Sequence, residues 1–145
     1  MAWYDIAEPG ITYNPVTRLL WHETFFIDEV YDVARYIKER TKPEDRLFGD
    51  STSLPLIALL AERRIIDDFG DTNIMRFKSN VTSAKETIKQ IDRPELVYLV
   101  PRHQTGFFRV NDFVNWAKEK FILEKQVKER YGGTFMIYRR RPAAQ

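Results

Sequence analysis

Apolar residues recur with helical spacing in the segment that follows Asp28. They occupy positions i, i+3, i+4 and i+7, the pattern of a helix that buries one face: Val30, Val33, Ala34 and Ile37. We therefore expect an amphipathic helix over 28–40 with Asp28 as its cap. The pattern then predicts a short strand over 46–50 and a second helix over 52–63, each followed by charged turn residues.

The middle of the chain continues this alternation of strand and helix. Ile65-Ile66 predicts a short strand before an acidic loop. Ser83, with Glu86 three residues later, is a capping box that opens a helix ending near Asp92. The run Leu96–Val100 is apolar at every position, which is typical of a strand covered on both faces.

The last third predicts one helix and a terminal hairpin. Asn111 is the expected cap of the helix, whose inward positions are Phe113, Trp116, Ala117 and Phe121. Gly132-Gly133 then separates two segments, 125–131 and 134–140, that read as the strands of a β-hairpin.

The order of these elements predicts an α/β fold. We expect a three-layer sandwich with a mostly parallel, Rossmann-like sheet, extended at one edge by the C-terminal β-hairpin. The α/β domain spans 28–145, and residues 1–27 form an N-terminal extension that packs on it. The apolar cluster expected to make that contact is Leu19, Leu20, Trp21, Phe25, Phe26 and Ile27.

Composition and charge narrow the classes of function. The 145 residues fit one domain with a real core, and the absence of cysteine excludes disulfides, thiolate nucleophiles and cysteine-bound zinc. The net charge of +2 is spread along the chain, so we expect no nucleic-acid partner. No stretch approaches the roughly 20 apolar residues that span a bilayer, which predicts a soluble chain as given.

Gly49-Asp50-Ser51 lies where a strand passes into a helix, the position at which α/β folds carry functional loops. A Gly-Asp-Ser motif is also the first conserved motif of a lipase and esterase family in which the serine is the nucleophile. That family's Asp-x-x-His motif is missing, because Val100 stands three residues before His103 and His22 lies upstream. A serine without a base is a poor nucleophile, so the alternative is that Asp50 and Ser51 cap the helix.

The loop after Ile65-Ile66 carries opposite charges close together. Asp67, Asp68 and Asp71 are candidate magnesium ligands, but a solvated acidic loop is the interpretation we favour, so no metal is expected. Three arginines flank the loop, and their guanidinium groups either pair with these carboxylates or bind a phosphate or sugar carboxylate: Arg63, Arg64 and Arg76. No glycine-rich nucleotide-binding loop occurs, and we expect no cofactor.

Several motifs together resemble one protein family. The resemblance covers roughly 26–141 and is carried by Gly49-Asp50-Ser51, Pro55–Leu60, Arg63-Arg64-Ile65, Asp71-Thr72-Asn73 and Met75-Arg76-Phe77. Around them stand Tyr36-Ile37, Pro43-x-Asp45-Arg46, Tyr131-Gly132-Gly133-Thr134 and Tyr138-Arg139-Arg140. This pattern is similar to the carboxy-terminal soluble domain of polytopic membrane glycosyltransferases like the dolichyl-phosphate-mannose protein mannosyltransferases.

The resemblance implies an accessory role rather than catalysis. In that family the catalytic acid lies between membrane spans, a region to which no part of this chain corresponds. The implied function is extracytoplasmic binding of a sugar acceptor or polyprenyl-phosphate donor, beside the membrane-embedded part of a parent protein. The residues expected to bind ligand are Asp50, Ser51, Arg63, Arg64, Asp71, Asn73 and Arg76.

Two alternatives remain open from the sequence. The chain could be a stand-alone protein-interaction or ligand-binding module that uses exposed aromatic residues such as Phe107 and Phe108. The other alternative is the serine hydrolase that uses Ser51.

Overall fold

The computed structural model describes residues 27–102, 106–129 and 133–143. The five helices are α1 (Ile27–Lys38), α2 (Leu54–Ala61), α3 (Ile74–Lys78), α4 (Ala84–Ile91) and α5 (Asn111–Lys120). The five strands are β1 (Arg46–Gly49), β2 (Arg64–Ile65), β3 (Leu96–Val100), β4 (Phe121–Lys128) and β5 (Thr134–Arg140). Two 3-10 turns, Ile66–Asp68 and Gly106–Arg109, follow β2 and precede α5.

The strands form one open, mixed sheet in the order β2-β1-β3-β5-β4. β1 pairs in parallel with β2 and β3, whereas β5 pairs antiparallel with both β3 and β4. The expected α/β class and terminal hairpin are therefore confirmed, but the sheet is mixed and not strictly the mostly parallel, Rossmann-like sheet that the sequence predicts. The reason is that the second strand of the hairpin lies beside β3, and a hairpin strand must run against its partner.

Helices cover the sheet on both faces. Leu47 and Phe48 are adjacent in β1 and point to opposite sides, as successive strand residues must. Leu47 lies in a buried cluster with α1, α2 and the inward residues of β5, whereas Phe48 packs with α4, α5 and Phe107. The Phe48 ring centroid is 4.8 Å from that of Phe107 in an edge-on arrangement. Each such fully buried side chain contributes about 1.5–3 kcal/mol to folding.

The local signals place most elements correctly. The helix expected over 28–40 is α1, and the Ser83 hydroxyl accepts a hydrogen bond from the Glu86 amide at 3.4 Å as the capping box predicts. Asn111, however, is the first residue of α5, and Val110 before it supplies no side-chain cap. The helix α3 was not predicted.

Phe121 was expected in the last helix but is the first residue of β4. Its ring packs against Trp116 at a centroid distance of 5.2 Å, which is why it continues the apolar helical pattern although the helix ends at Lys120. The first hairpin strand therefore covers 121–128 rather than 125–131, and it pairs with β5 from Phe121↔Arg140 to Lys128↔Thr134.

The predicted N-terminal extension falls almost wholly outside the described residues, so its packing on the domain stays a prediction. Within the described ranges, no helix has the length and apolar character needed to cross a membrane.

Candidate ligand-binding crevice

The strand topology predicts a ligand-binding crevice at the carboxyl ends of β1 and β3. The chain leaves β1 through α2, which packs on one face, and leaves β3 toward α5, which packs on the other. Adjacent parallel strands whose connections diverge in this way leave a crevice between their ends, where α/β proteins bind ligands. The Asp50 amide still donates to the Val100 carbonyl at 3.1 Å, so the two strands are held together up to the rim.

Gly49 occupies its position because no side chain fits there. A Cβ atom at this residue would lie 2.3 Å from the carbonyl oxygen of Val100, well inside van der Waals contact. The glycine of the Gly-Asp-Ser motif is thus explained by the close approach of β1 and β3 rather than by a catalytic turn.

Asp50 is the buried acid of the crevice, with 4% of its surface exposed. Its Oδ2 atom accepts hydrogen bonds from the amides of Thr52 and Ser53, both at 3.2 Å, and from the hydroxyls of the same two residues. Asp50 therefore closes the turn that opens α2, in the role the capping interpretation gave it. Ser53, at the formal cap position, makes no side-chain cap bond.

Two other loops meet at Asp50. The buried hydroxyl of Thr72 donates to the Gly49 carbonyl at 2.8 Å, which joins the loop after β2 to the end of β1. Gly106 has a φ of +53°, and a Cβ atom placed on it would lie 3.5 Å from the Asp50 Oδ1 atom and 3.6 Å from the Thr72 carbonyl oxygen. The loops after β1, β2 and β3 thus lie close together around the end of β1, where Asp50 is buried.

The loop after β2 presents a second polar group. The Arg76 Nη1 atom donates to Asp71 Oδ2 at 3.2 Å, and the amide of Asn73 donates to Asp71 Oδ1 at 3.1 Å. The side chain of Asn73 caps α3 by accepting from the Met75 amide at 2.9 Å. The guanidinium carbon of Arg76 lies 5.7 Å from the centroid of the Phe69 ring. Asp71, Asn73 and Arg76 are therefore brought together as predicted.

Arg63 and Arg64 lie at the amino end of β2. Arg64 begins β2 and pairs in register with Arg46, the first residue of β1. Arg63 binds the end of α1, donating to the Thr41 hydroxyl at 2.8 Å and to the Thr41 carbonyl at 2.6 Å. Among the described residues neither arginine is paired with the acidic loop, since Arg63 is engaged by Thr41 and Arg64 stands at the amino end of β2.

The three candidate metal ligands do not converge either. Asp67 accepts hydrogen bonds from Gln90, at 3.2 Å, and from Arg93 on the neighbouring segment. Asp71 is engaged by Arg76, and in the described ranges no group of three or more acidic or histidine side chains is arranged to hold a metal ion. Arg93, which the sequence interpretation did not single out, is the cation that pairs with Asp67.

Ser51 remains partly accessible at the α2 turn, whereas the aromatic residues Phe107 and Phe108 pack against other rings. Ser51 is half-buried at the start of the α2 turn, and its hydroxyl makes no hydrogen bond within the described part of the chain. The candidate bases His22 and His103 fall outside that part. Phe107 is buried beneath Phe48 and Phe113, so the prediction that it is an exposed docking residue is wrong. Phe108 packs on Tyr138 at 5.5 Å.

The crevice is therefore suited to binding a polar ligand. The loops at this end of the sheet carry the Ser51 hydroxyl, the Asp71 carboxylate and the Arg76 guanidinium, which are groups that recognise sugars and phosphates. Comparison of the chain with protein-family models, curated proteins and solved structures gave no match.

Proposed function

We propose that this chain is a ligand-binding accessory domain of a membrane glycosyltransferase that uses a polyprenyl-phosphate sugar donor. In this proposal the domain acts on the extracytoplasmic face of a membrane, beside the membrane-embedded part of its parent. It binds the sugar acceptor or the lipid-linked donor and does not itself catalyse transfer. The family resemblance supplies the parent, and the crevice supplies the place of binding.

The observation that supports a binding site is the close approach of three loops around the end of β1, at Gly49 and Asp50. A buried carboxylate whose Oδ2 atom receives four hydrogen bonds from the α2 turn holds that turn rigidly. The Thr72–Gly49 hydrogen bond fixes the neighbouring loop to the same rim. Rigid loops at the carboxyl ends of parallel strands provide preformed sites with little loss of conformational entropy on binding.

Each group has a chemical role in this proposal. The Ser51 hydroxyl and the Asp71 carboxylate hydrogen-bond sugar hydroxyls, which act both as donors and as acceptors. The Arg76 guanidinium, which the ring of Phe69 supports, binds a phosphate or a sugar carboxylate through its fixed fork of N–H groups. Because Arg76 already pairs with Asp71, a bound anion competes with that carboxylate.

Calorimetric titration with monosaccharides and with short polyprenyl phosphates tests the binding site. We expect Arg76→Gln to weaken binding of the phosphate-bearing ligand by at least about tenfold, the loss expected when one charge-assisted hydrogen bond is removed. Arg64→Gln is the matched control, because it makes the same change at the amino end of β2, away from the carboxyl ends of the strands. Absence of binding by the folded chain, or equal effects of the two substitutions, would contradict the proposed site.

The proposed parent is tested separately. An antibody against this domain, applied to fractionated cells of the source organism, is expected to detect a membrane-bound band several times heavier than 17.3 kDa. A band of 17.3 kDa outside the membrane fraction would refute the glycosyltransferase parent. It would leave a self-contained ligand-binding domain with the same crevice.

A further inference from the structure

One oxygen atom of the Asp50 carboxylate has no hydrogen-bond partner among the described residues. The Oδ2 atom receives four hydrogen bonds from the α2 turn, but no described group donates to Oδ1. Asp50 is only 4% exposed, so it loses most of its hydration on folding. A buried acceptor without a donor is uncommon in proteins, because nothing replaces the hydrogen bonds that it made to water.

A second acceptor without a donor lies beside it. Thr72 is fully buried, and its carbonyl oxygen accepts no hydrogen bond from the described part of the chain. A Cβ atom on Gly106 would lie 3.5 Å from Asp50 Oδ1 and 3.6 Å from the Thr72 carbonyl oxygen. Apart from the neighbours of Gly106 in the chain, no other described atom lies within 4 Å of that point. Two acceptors therefore border a space that is open because residue 106 has no side chain.

These two oxygens together favour a ligand group that donates hydrogen bonds. Phosphate and carboxylate oxygens are disfavoured at this position because they bring negative charge and lone pairs rather than protons. A calcium ion takes about six to eight oxygen ligands, and only two oxygens border the space. A hydroxyl group donates a proton without adding charge, and a sugar ring carries several of them. We propose that Asp50 Oδ1 and the Thr72 carbonyl oxygen bind hydroxyl groups of a pyranose.

This inference rests on the proposed function, because it names the chemical class of the ligand at the same end of the sheet. It separates two neighbouring positions. The oxygens of Asp50 and Thr72 bind the sugar ring. Arg76, which pairs with Asp71, binds a phosphate. A neutral acceptor sugar occupies the first position alone, whereas the sugar phosphate of a lipid-linked donor occupies both.

NMR titration of the isotope-labelled chain with methyl pyranosides measures this binding, and Asp50→Asn is the decisive variant. The amide oxygen of asparagine still accepts from the α2 turn, while its nitrogen places two donors where Oδ1 stood. We expect pyranoside binding to weaken at least about tenfold, because a donor then faces the sugar hydroxyl in place of an acceptor. Binding of inorganic phosphate should instead tighten, because one negative charge has been removed.

Gly106→Ala is a second test that leaves Asp50 and its turn intact. The new methyl group occupies the space beside both oxygens, so pyranoside binding should again weaken at least about tenfold. Gly70→Ala is the matched control, because nothing lies within 4 Å of a Cβ atom there, and it should leave the Kd unchanged. Gly106 has a φ of +53°, which strains alanine, so far-UV circular dichroism checks that the variant is folded.

Pyranose 1-phosphates identify the source of the sugar. Affinity above that of the methyl pyranoside, removed by Arg76→Gln, indicates the lipid-linked donor, and equal affinity indicates the acceptor; Asp50→Asn weakens binding in both cases. Pyranoside binding that survives both Asp50→Asn and Gly106→Ala would overturn this inference and leave the proposed function standing. Tighter binding of methylammonium than of any pyranoside would overturn it as well. If the folded chain binds neither sugars nor phosphates, the proposed function itself fails.

Discussion

At the scale of single residues, the backbone of β3 determines what can stand at the end of β1. Gly49 is required because its neighbour across the strand pair is a carbonyl oxygen that belongs to the sheet and cannot move aside. Asp50, the next residue, is required for a different reason, because four donors of the α2 turn share one of its oxygens. The motif combines a steric constraint and a hydrogen-bonding constraint.

Gly49→Ala is expected to destabilise the protein by about 1–3 kcal/mol, since the new methyl group overlaps the Val100 carbonyl. Gly70→Ala is the control, because nothing lies within 4 Å of a Cβ atom there, and its effect should stay within about 0.5 kcal/mol. Urea unfolding of both variants measures the difference. Equal stabilities would show that β1 and β3 separate to admit the side chain.

At the scale of elements, a buried ion pair joins β3 to the hairpin. The side chain of Glu129, 2% exposed, accepts two hydrogen bonds from Arg102 Nη2, at 2.7 and 3.0 Å. A Cβ atom on Gly133 would lie 1.6 Å from a Glu129 carboxylate oxygen, so a side chain there would displace Glu129 from its position beside Arg102. Arg140 makes a similar link, donating to the Leu96 carbonyl at 2.7 Å and to Asp92 at 2.8 Å.

Arg102→Met is expected to cost about 3 kcal/mol of stability, because it leaves the Glu129 carboxylate buried without its cation. Adding Glu129→Leu in the same chain should restore most of that loss. Arg139→Met is the control, since Arg139 pairs with Glu124 at the surface and should cost less than about 1 kcal/mol. Chemical denaturation of the three variants checks this, and a double variant no more stable than Arg102→Met would contradict it.

The hydrogen bond between Tyr98 of β3 and Glu124 of β4 makes the stability of the protein sensitive to pH. Burial and the adjacent Glu124 carboxylate, to which the Tyr98 hydroxyl donates at 2.6 Å, raise the pKa of Tyr98 above its ordinary value of 10.0. The stability that this raised pKa contributes is fully present below pH 10 and is lost as the pH rises above that value. The reason is that Tyr98 loses its proton at a lower pH in the unfolded chain than in the folded chain. The expected slope is about 1.4 kcal/mol per pH unit for one proton.

Tyr98→Phe should remove this slope between about pH 10 and 11, leaving the smaller contributions of Tyr36 and Tyr138, whose pKa values burial also raises. Tyr31→Phe removes the same atom from a half-exposed side chain and should leave the slope as in the wild type. Urea unfolding at a series of pH values measures it. An unchanged slope in Tyr98→Phe would show that the Tyr98 hydroxyl is not the titrating group.

At the scale of the whole molecule, one sheet separates two buried clusters that share its strands. The neighbours Leu47 and Phe48 belong to different clusters, so neither face can lose its packing without disturbing the other. Small domains of this kind usually unfold in one cooperative step.

We expect the two faces to unfold together. In a Trp3→Phe/Trp21→Phe variant, Trp116 is the sole tryptophan and reports on the α5 face, while far-UV circular dichroism reports on all helices. Coincident urea midpoints are the expected result. Separate midpoints would mean that the α1–α2 face and the α5 face are independent units.

The sequence by itself determined the features that depend on neighbours within about ten residues. The α1 periodicity, the Ser83 cap and the buried strand β3 were predictable because burial and capping repeat with the period of the element. Asp71, Asn73 and Arg76 were also predictable as a group, since one short loop carries them.

Only the tertiary structure decided which strands are neighbours, and the crevice depends on that choice. Thr72 contacts Gly49 across 23 residues, and Arg102 contacts Glu129 across 27, and no local pattern marks either pair. The sequence pattern also placed Phe121 in the last helix. Phe121 packs on Trp116, so it continues the spacing of the buried helical residues although it belongs to a strand. Each group in a long-range hydrogen bond has many possible partners along the sequence. The order of the strands in the sheet decides which of these partners lies next to it.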